Sequence, residues 1–429
     1  MKYLAILGRE PKLSLAELES LFSDVRQISP ELATFTAKTT PSIDFLGGSL
    51  KLAVELDQKP LDFLQTLPEG KITFGLSDYS STASAKSATT EALKLKKILV
   101  RHGRSVRIVE NKTAVLSTAT SLHNGLSGKN AHKVELIKTN HGYYRVIGVQ
   151  NIDAYARRDQ ARPARDAKVG MLPPKLAQIL INLCGPITKP ATLIDPFCGT
   201  GVLLQEALLM GFHVYGTDID ERMVKYSEKN LAWLFNNSET VNFEGVRSAA
   251  ARGEAPATRG DGLAGRGPKN DSFRVATDAP QAKSEKYFPE DRKLGRAPLS
   301  VSEGEYFQIL QGDATNYKWP HVDAVACEGY LGRPFSNIPA DIALKTVKQE
   351  CQTIILGFLK NLSSQIEPNT PVVLAAPAWL RPDQTYSRLK ILDDIENMGY
   401  NVSNKTREGL LYHREGQIVA RDIIILRKK

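Results

Sequence analysis

The sequence is poor in cysteine, and its cysteines are far apart. Cys184, Cys198, Cys327 and Cys351 form no Cys-x-x-Cys pair, which is the spacing that zinc sites and many redox sites use. The histidines are also scattered along the chain. We therefore expect neither a disulfide framework nor a bound metal ion.

Long hydrophobic runs are missing as well. A membrane-spanning helix needs an apolar stretch of about 18 residues or more, and no segment approaches that length. The apolar run that begins at Tyr3 is too short for the hydrophobic part of a signal peptide. These absences lead us to expect a cytoplasmic protein in a reducing environment, with no membrane partner.

The positive charge of the chain is concentrated in its first part. The net charge is +9 over 429 residues, and a chain of this length usually folds as two or three domains. Residues 1–170 hold 25 lysines and arginines against 17 aspartates and glutamates, a surplus of 8. This asymmetry indicates a first half that binds a polyanion and a second half that carries the chemistry.

A strand, a glycine turn and a helix follow one another in the middle of the chain. The apolar residues 191–194 predict a buried parallel strand. Asp195 then precedes a turn formed by Gly199 and Gly201, and Asp218 ends the next apolar segment, about 20 residues after the glycines. This arrangement is typical of a nucleotide pocket in which the later carboxylate binds ribose hydroxyls.

The charge of this motif selects among nucleotide cofactors. A dinucleotide fold would carry a small residue three positions after Gly201, where this chain has Leu204. Asp195 would also repel a pyrophosphate. S-adenosylmethionine has no phosphate, and its ammonium and sulfonium groups are attracted by a carboxylate, so we expect S-adenosylmethionine as the cofactor. A tight turn that binds no ligand is the alternative for the two glycines considered alone.

A further carboxylate follows the predicted strand 307–310. Asp313 would lie at the carboxyl edge of the sheet, where it could accept a hydrogen bond from the adenine amino group. A simple turn or helix-capping role is the alternative. The predicted cofactor-binding residues are Asp195, Pro196, Phe197, Gly199, Thr200, Gly201, Asp218, Ile219, Asp313 and Ala314.

The chain before this motif predicts two small α+β units and a linker. Residues 1–60 begin with a β-α-β pattern, and residues 61–150 contain a long helix at 84–101 and several strands, one of them at 114–118. Residues 151–182 form a linker and connecting helix. Adjacent prolines favour a helix start, so the helix is expected to run from Pro174 to Leu183.

Residues 183–429 predict a parallel α/β sheet with one insertion. Residues 237–305 are rich in Gly, Ala, Pro, Ser and mixed charge, which favours disorder over a small folded subdomain. The α/β pattern then resumes, with a helix expected at 387–398 and a closing hairpin whose last strand, 418–426, would lie antiparallel. The expected fold class is therefore α/β, with a Rossmann-like domain after an α+β region.

Seven positive charges lie within 19 residues of the second unit, between Lys94 and Lys112, with only Glu110 opposing them. Such a cluster is suited to phosphate-backbone binding, and a solvated helix face is the alternative. Because the cluster lies in the basic half of the chain, we favour nucleic acid. The predicted RNA-binding residues are Lys94, Lys96, Lys97, Arg101, Arg104, Arg107, Arg158 and Arg162.

A later strand ends in Cys327-Glu328-Gly329-Tyr330, where amino-methylating enzymes carry their reactive group. An exocyclic base amine is a poor nucleophile because its lone pair is delocalised into the ring, and acceptors for its N–H bonds oppose that delocalisation. Glu328 could accept such a bond or take the proton, and Tyr330 could stack on a flipped base. With Cys327 they form the predicted catalytic group. An ordinary loop carboxylate beside a core aromatic is the alternative.

Together these residues resemble the THUMP-domain tRNA guanosine-N2 methyltransferases, related to the enzyme that modifies guanosine 10. The resemblance covers nearly the whole chain apart from residues 237–305. It rests on the following segments: residues 3–9 and 13–19, Arg158-Asp159 with Arg162-Pro163, residues 170–177, Asp195 to Gly201, and Tyr412 to Gln417.

The resemblance implies a ferredoxin-like domain at 1–60, a THUMP-like RNA-binding domain at 61–150, and a methyltransferase domain at 183–429. It also implies tRNA as the substrate, transfer to a guanosine N2 and, as in some relatives, a small activating protein partner. Where the family carries Asp/Asn-Pro-Pro-Tyr, this chain has Cys327 to Tyr330, so the acidic role passes to Glu328 only as a hypothesis. An amino methyltransferase of ribosomal RNA or DNA, and an RNA-binding protein that holds the cofactor without transferring methyl, are the alternatives.

Overall fold

The computed structural model describes residues 1–166, 171–236, 307–404 and 410–429. Their strands form two sheets, one of eight strands and one of nine. The predicted disordered insertion at 237–305 lies outside the described residues.

The first sheet is built mostly from antiparallel pairs. Its elements are β1 (Lys2–Leu7), α1 (Pro11–Leu21), β2 (Ser23–Ser29), β3 (Leu32–Thr36), β4 (Ser49–Glu55), α2 (Pro60–Gln65), β5 (Ile72–Asp78), α3 (Ala85–Arg101), β6 (Val106–Ile108), α4 (Thr118–His123), β7 (Lys133–Thr139) and β8 (Gly142–Val149). The strand order is β2-β3-β1-β4-β8-β7-β5-β6, and β5 is parallel to both of its neighbours.

This sheet spans both predicted N-terminal units. β4 lies beside β1 and also pairs antiparallel with β8, from Lys51↔Val149 to Glu55↔Tyr144. A boundary at residue 60 therefore separates strands that belong to one continuous sheet. The division into ferredoxin-like and THUMP-like domains stays a prediction.

The long helix α3 forms because its sequence supplies both a cap and an apolar face. The Ser84 hydroxyl accepts a hydrogen bond from the Ser87 N–H, and the Ser87 hydroxyl accepts one from the Ser84 N–H. Ala92 and Leu99, two turns apart, are buried against the sheet. The helix expected at 84–101 is confirmed.

The strand expected at 114–118 is wrong. Thr118 begins α4 instead, because the Ser117 hydroxyl caps that helix by accepting the Thr120 N–H at 3.1 Å. Leu116, the buried residue of the expected strand, packs over Gly75 of β5: a Cβ atom there would lie 2.3 Å from the leucine. The apolar residues of this segment thus cover the sheet without extending it.

A buried ion pair connects β4 to β7 across β8. Lys51 Nζ donates to Glu135 Oε1 at 2.6 Å, and both side chains are almost inaccessible to solvent. The same ammonium group donates to the Leu116 carbonyl and the Ser121 hydroxyl, so all of its donors are used. Removing one charge would leave the other buried and uncompensated, which makes both residues costly to replace.

The rest of the chain folds as an alternating α/β domain. Its elements are α5 (Ile152–Gln160), α6 (Pro174–Leu183), β9 (Thr192–Asp195), α7 (Val202–Leu209), β10 (His213–Asp218), α8 (Glu221–Asn236), β11 (Phe307–Gln311), β12 (Ala324–Glu328), α9 (Asp341–Ser363), β13 (Pro371–Leu380), β14 (Tyr386–Arg388), α10 (Leu392–Asn397), β15 (Tyr400–Val402), β16 (Leu411–Tyr412) and β17 (Val419–Lys428).

The strand order confirms the Rossmann-like prediction. Five strands are parallel in the order β11-β10-β9-β12-β13, and β17 then pairs antiparallel with β13 and with β15. The expected antiparallel last strand is therefore present. The short strands β14 and β16 pair with β13 and β17.

The helix expected at 387–398 is shorter and follows a strand. Residues up to Arg388 belong to β14, and α10 covers only Leu392–Asn397. Leu389 and Ile391 are buried on either side of the exposed Lys390. That alternation is the period of extended chain, so these apolar residues belong to no helical face.

The two parts of the protein meet at α1 and α6. Glu17 of α1 is fully buried, and its carboxylate accepts hydrogen bonds from the N–H groups of Gly47 (2.9 Å) and Gly48 (2.8 Å) and from Asn182 Nδ2 (2.7 Å) on α6. Burial raises the pKa of Glu17 to about 7, although these donors act in the opposite direction. The contact between the two parts of the protein thus depends on the Glu17 carboxylate, which accepts hydrogen bonds from both of them.

Candidate active site

The carboxyl edge of the second sheet gathers three acidic residues. From β9 the chain continues to β10 and β11 on one side, whereas β12 lies on the other side of β9. This reversal opens a crevice at the carboxyl ends of β9 and β12, where ligands bind in open α/β sheets. Asp195, Asp218 and Glu328 are the last residues of β9, β10 and β12. The topology therefore brings their side chains to one edge.

The turn after β9 depends on two glycines. Gly199 and Gly201 have φ angles of 51° and 80°, in the left-handed region that other residues avoid. A Cβ atom on Gly201 would also lie 2.8 Å from Ser227 Oγ. A Cβ atom on Gly199 would meet nothing closer than the Phe197 carbonyl oxygen at 4.0 Å. The backbone at Gly199 therefore faces open space that a ligand can approach closely.

The carboxylates at this edge act on one another. Asp195 is 3% exposed and accepts a hydrogen bond from the Phe197 N–H at 3.2 Å. Burial, followed by the charges of Asp218 and Glu328, raises the pKa of Asp195 well above the usual value for aspartate. Burial also raises the pKa of Asp218, which accepts the Gly199 N–H at 2.9 Å. This concentration of negative charge favours a cationic ligand.

The chemistry of these side chains fits S-adenosylmethionine and does not fit a pyrophosphate. The converging groups are carboxylates, which attract an ammonium or a sulfonium and repel phosphate. Ile219 follows Asp218 directly and is 69% exposed. An apolar side chain of this size at the rim of a polar crevice provides a surface for an adenine ring.

The other predicted cofactor residues lie in different surroundings. Asp313 accepts the N–H and the hydroxyl of Thr315 at 2.9 and 2.7 Å, so its carboxylate serves the turn, and its adenine contact stays a prediction. The side chains of Pro196 and Ala314 are buried. Phe197 packs edge-on against a phenylalanine of α9. These residues shape the walls of the crevice from within the core.

Glu328 is held by an arginine of the last strand. Arg421 Nε donates to Glu328 Oε1 at 2.7 Å, and the two side chains are 4% and 16% exposed. Arg421 Nη1 also donates to Gln417 Oε1 at 3.2 Å. One oxygen of Glu328 is thus engaged and oriented, whereas Oε2 has no hydrogen bond to any residue that the structure describes.

The neighbours of Glu328 occupy opposite environments. Cys327 is fully buried, and burial raises the pKa of its thiol well above the usual range. Successive strand residues point to opposite faces, so Cys327 does not share the face of Glu328, and its catalytic role stays a prediction. Tyr330 is 38% exposed just beyond the strand, so its ring is accessible for stacking.

Arg421 and Gln417 are site residues that the sequence pattern does not single out as functional. Arg421 and Asp422 interrupt the apolar residues of β17, and buried charges in such a strand need partners. Asp422 lies on the opposite face, with Arg388 Nε at 3.6 Å. An Arg-Asp pair inside a buried strand is thus the signal that could have pointed to this site.

Most predicted RNA-binding cations of the first sheet lie at the surface. Arg104 is different, because its guanidinium donates to the carbonyls of Leu67 and Pro68 at 3.1 and 2.6 Å. It fixes a loop, and its role in phosphate binding stays a prediction. The other residues, all exposed except the half-buried Lys96, are Lys94, Lys96, Lys97, Arg101 and Arg107.

The two linker arginines are buried. Arg158 is 7% exposed and bonds Glu206 of α7 twice, Nε to Oε1 at 2.6 Å and Nη2 to Oε2 at 3.2 Å. Arg162 is 3% exposed and donates to the Thr200 hydroxyl at 3.2 Å. The fully buried Glu206 requires a cationic partner, which Arg158 supplies. Burial disfavours RNA contacts by either arginine, and those contacts stay a prediction. Arg162 instead supports the glycine turn through Thr200.

The described residues carry no obvious alternative site. All four cysteines are free and buried. No group of histidine, cysteine, aspartate and glutamate in the described ranges is arranged to hold a metal ion. Within the same part of the chain, no helix has the length and apolar character needed to cross a membrane.

Residues 162–249 match the protein family described as RMKL-like, methyltransferase domain. The match begins at Arg162, beside the glycine turn, and includes Asp195 and Asp218. Over these residues the chain is similar to that methyltransferase domain. The matched segment contains β9, the glycine turn and β10, which form one side of the carboxyl-edge crevice.

Three curated relatives of the chain share one name, tRNA (guanine(10)-N2)-dimethyltransferase. The protein from Methanothermobacter thermautotrophicus is 43% identical over 94 residues, 21% of this chain and 26% of the relative. The one from Pyrococcus abyssi is 45% identical over 62 residues, 14% and 18% of the two chains. The one from Methanocaldococcus jannaschii is 28% identical over 155 residues, 36% and 44%. The matches confirm the family resemblance, although each spans less than half of the relative.

Among solved structures, TrmN from Thermus thermophilus aligns over 100% of both chains, at 16% identity and a TM-score of 0.39. The Rossmann-like fold of the second sheet is assigned from its strand order.

Proposed function

We propose that this protein transfers a methyl group from S-adenosylmethionine to the exocyclic N2 of a guanosine in tRNA. The observation that carries the proposal is the meeting of Asp195 and Glu328 at the crevice, with the exposed Tyr330 just beyond. The names of the relatives support tRNA as the substrate and position 10 as the target.

The cofactor half of the site is formed by β9 and β10. When bound, the cofactor supplies a methyl group carried on a cationic sulfur. Asp195 attracts the positive end of the molecule, the open backbone at Gly199 permits close approach, and Asp218 accepts ribose hydroxyls. Because these groups end adjacent strands, they hold the ligand beside Glu328 in a fixed orientation.

Glu328 acts on the amine. Arg421 fixes Oε1, so Oε2 is directed to accept one N–H of the guanine amine and to oppose delocalisation of its lone pair. The nitrogen loses a proton as it is methylated. Glu328 accepts this proton and releases it to water, since its side chain is 16% exposed. Tyr330 offers a ring face to the flipped-out base.

The first sheet binds the body of the tRNA. Its exposed cations Lys94, Lys97 and Arg101 recur at helical spacing on α3 and so form one charged face. Phosphates are recognised by such a face without regard to base sequence. A ferredoxin-like and THUMP-like arrangement of this region belongs to the same proposal.

Methyl transfer from radiolabelled S-adenosylmethionine to bulk tRNA, followed by nucleoside analysis, tests the proposal. We expect label in N2-methylguanosine or N2,N2-dimethylguanosine. Label in ribosomal RNA or DNA, with none in tRNA, would change the substrate class. Label on another atom of tRNA would contradict the assignment of N2.

A second candidate is a protein that binds RNA and the cofactor without transferring methyl. Two observations favour this candidate. Cys327, which stands at the acidic position of the family motif, is buried, and Glu328, which replaces a proline of the motif, forms an ion pair with Arg421. Calorimetric binding of S-adenosylmethionine, with no transfer to tRNA, ribosomal RNA or DNA, would favour this candidate.

A further inference from the structure

A hairpin projects beyond the carboxyl edge of the second sheet. Glu328, the last residue of β12, pairs with Ala375 of β13. β13 continues to Leu380 and turns back into β14, with Leu380 paired to Tyr386. Five residues of β13 therefore extend past the end of its neighbour. The hairpin formed by β13 and β14 stands beside the crevice.

The loop that carries Tyr330 is wedged between this hairpin and α9. A Cβ atom on Gly332 would lie 2.4 Å from Val347 Cγ2 on α9 and 3.8 Å from the Trp379 ring on β13. Trp379 is fully buried. The first turns of α9 and the hairpin are thus packed around the loop that we assign to the target base.

Lys348 joins α9 to the hairpin at this place. It is half-buried, and its Nζ donates to the Ser387 hydroxyl of β14 at 3.1 Å. Ser387 lies opposite Trp379 in the hairpin register. This hydrogen bond restrains the ammonium group before any ligand binds. A lysine on an open surface would instead lose much conformational entropy when it binds an anion.

Two more cations act on this ammonium group through their charge. Burial lowers the pKa of Lys348, and the charges of Lys390 and Arg381 lower it further. Both of these residues are exposed. Asp383 at the tip of the hairpin lies near Arg381 and offsets part of its charge, while its carboxylate accepts the N–H and the hydroxyl of Thr385. Like charges held together in this way favour a bound anion.

We propose that Lys348, Arg381 and Lys390 form a phosphate-binding site on the methyltransferase domain that holds the RNA backbone next to the target nucleotide. A base that leaves its stack swings about its own backbone, so flanking phosphates must be fixed near the pocket. The site stands beside the loop of Tyr330, where those phosphates must lie. It adds a second contact region to the one on α3. The inference rests on the proposed function for the identity of the RNA.

The test uses the full-length double variant Lys348→Gln with Lys390→Gln. Glutamine at 348 removes the charge and keeps an N–H donor on a side chain that is one bond shorter than lysine. The matched control is Lys360→Gln, which removes one exposed charge from the opposite end of α9, about 18 Å from Lys348 at 1.5 Å per residue. Circular dichroism and calorimetric S-adenosylmethionine binding verify that each variant is folded.

Binding of bulk tRNA is measured as a function of salt concentration. The double variant is expected to bind more weakly and to lower the slope of log Kd against log salt by about one unit per lost phosphate contact, whereas the control keeps the slope of the wild type. The KM for tRNA is expected to rise in the double variant. A folded double variant with an unchanged salt slope would overturn the inference.

The two proposals can fail separately, because tRNA binding requires no methyl transfer. If the wild type binds tRNA without methylating it and the double variant has a reduced slope, the proposed activity fails and the phosphate site stands. If the wild type methylates tRNA and the slope of the double variant is unaltered, the activity stands and the phosphate site fails.

Discussion

The Glu328 carboxylate and the Arg421 guanidinium form an ion pair at the carboxyl edge of the sheet, with 2.7 Å between Oε1 and Nε. The two residues lie 93 positions apart in the chain and come from β12 and β17. β13 separates these strands in the sheet. The acidic residue that we propose acts on the target amine is therefore oriented by the last strand of the domain.

We expect Glu328→Ala to lower kcat for methyl transfer by roughly 100-fold or more, which is the usual contribution of a general acid or base. The affinity for S-adenosylmethionine should stay close to that of the wild type, because Asp195 and Asp218 remain. Single-turnover transfer and calorimetric binding measure the two quantities. Unchanged turnover would remove Glu328 from the mechanism.

Arg421→Gln should lower kcat by roughly tenfold or more, equivalent to about 1.4 kcal/mol of transition-state stabilisation. The glutamine cannot hold Glu328 with a charged donor. Arg421→Lys retains the charge but not the planar fork, so it should recover only part of the rate. A purely structural arginine would instead lower the melting temperature and leave the rate of the remaining folded enzyme unaltered in both variants.

The affinity for S-adenosylmethionine should fall as pH is lowered through the raised pKa of Asp195. The free protein keeps the Asp195 proton at pH values where an ordinary aspartate is ionised, whereas a cationic ligand requires the carboxylate, so binding releases a proton. Calorimetry in buffers of different ionisation enthalpy measures that release. Asp195→Asn should bind weakly and release no proton from this position; proton release equal to that of the wild type would show that another group titrates.

Glu17 should make the protein less stable as pH rises from about 4.5 toward 7. Its folded pKa, about 7, lies above the ordinary value of 4.5. Between these two pKa values the folded state holds a proton on Glu17 that the unfolded state has lost. The stabilisation is therefore complete below pH 4.5 and is lost as the pH rises through about 7. Melting temperatures of the wild type and of Glu17→Gln measure the effect, because the variant lacks this titration. Parallel curves for the two proteins would exclude Glu17 as its source.

Neutralising Lys94, Lys97 and Arg101 together should weaken tRNA binding and reduce its salt dependence, since each lost phosphate contact removes a released counterion. The affinity for the cofactor should not change, because α3 packs against the first sheet, whereas the cofactor site lies on the second. Arg104 is a useful comparison, since Arg104→Gln breaks bonds to the loop at Leu67 and should lower stability while keeping the salt slope. An unaltered slope in the triple variant would leave the cluster as solvated surface.

The sequence predicts the periodic part of this molecule well. The helix that starts at Pro174 ends at Leu183 as expected, because paired prolines and a continuous apolar face leave few alternatives. The glycine turn at Gly199 and Gly201 and the acidic ends of β9 and β10 are also read correctly. Local spacing determines each of these features.

Long-range partners are the part that the sequence does not predict. The sequence alone suggests that Arg158 is a surface cation, because nothing near it in the chain identifies Glu206, 48 residues away, as its buried partner. Cys327 and Glu328 are adjacent in sequence, yet only the pleat of β12 decides which one faces the crevice. Arg421 reads as part of a closing strand, since nothing in β17 alone identifies Glu328 as its partner.

The pairing of β4 with β8 determines where the protein can be divided. A fragment that ends near residue 60 would retain β4 but lose β8, so one long edge of the sheet would present unpaired N–H and C=O groups. Such an edge recruits other strands, and we expect that fragment to aggregate. A fragment that ends after Val149 keeps both partners, so the first 150 residues form a piece in which the proposed RNA binding can be measured apart from the proposed methyl transfer.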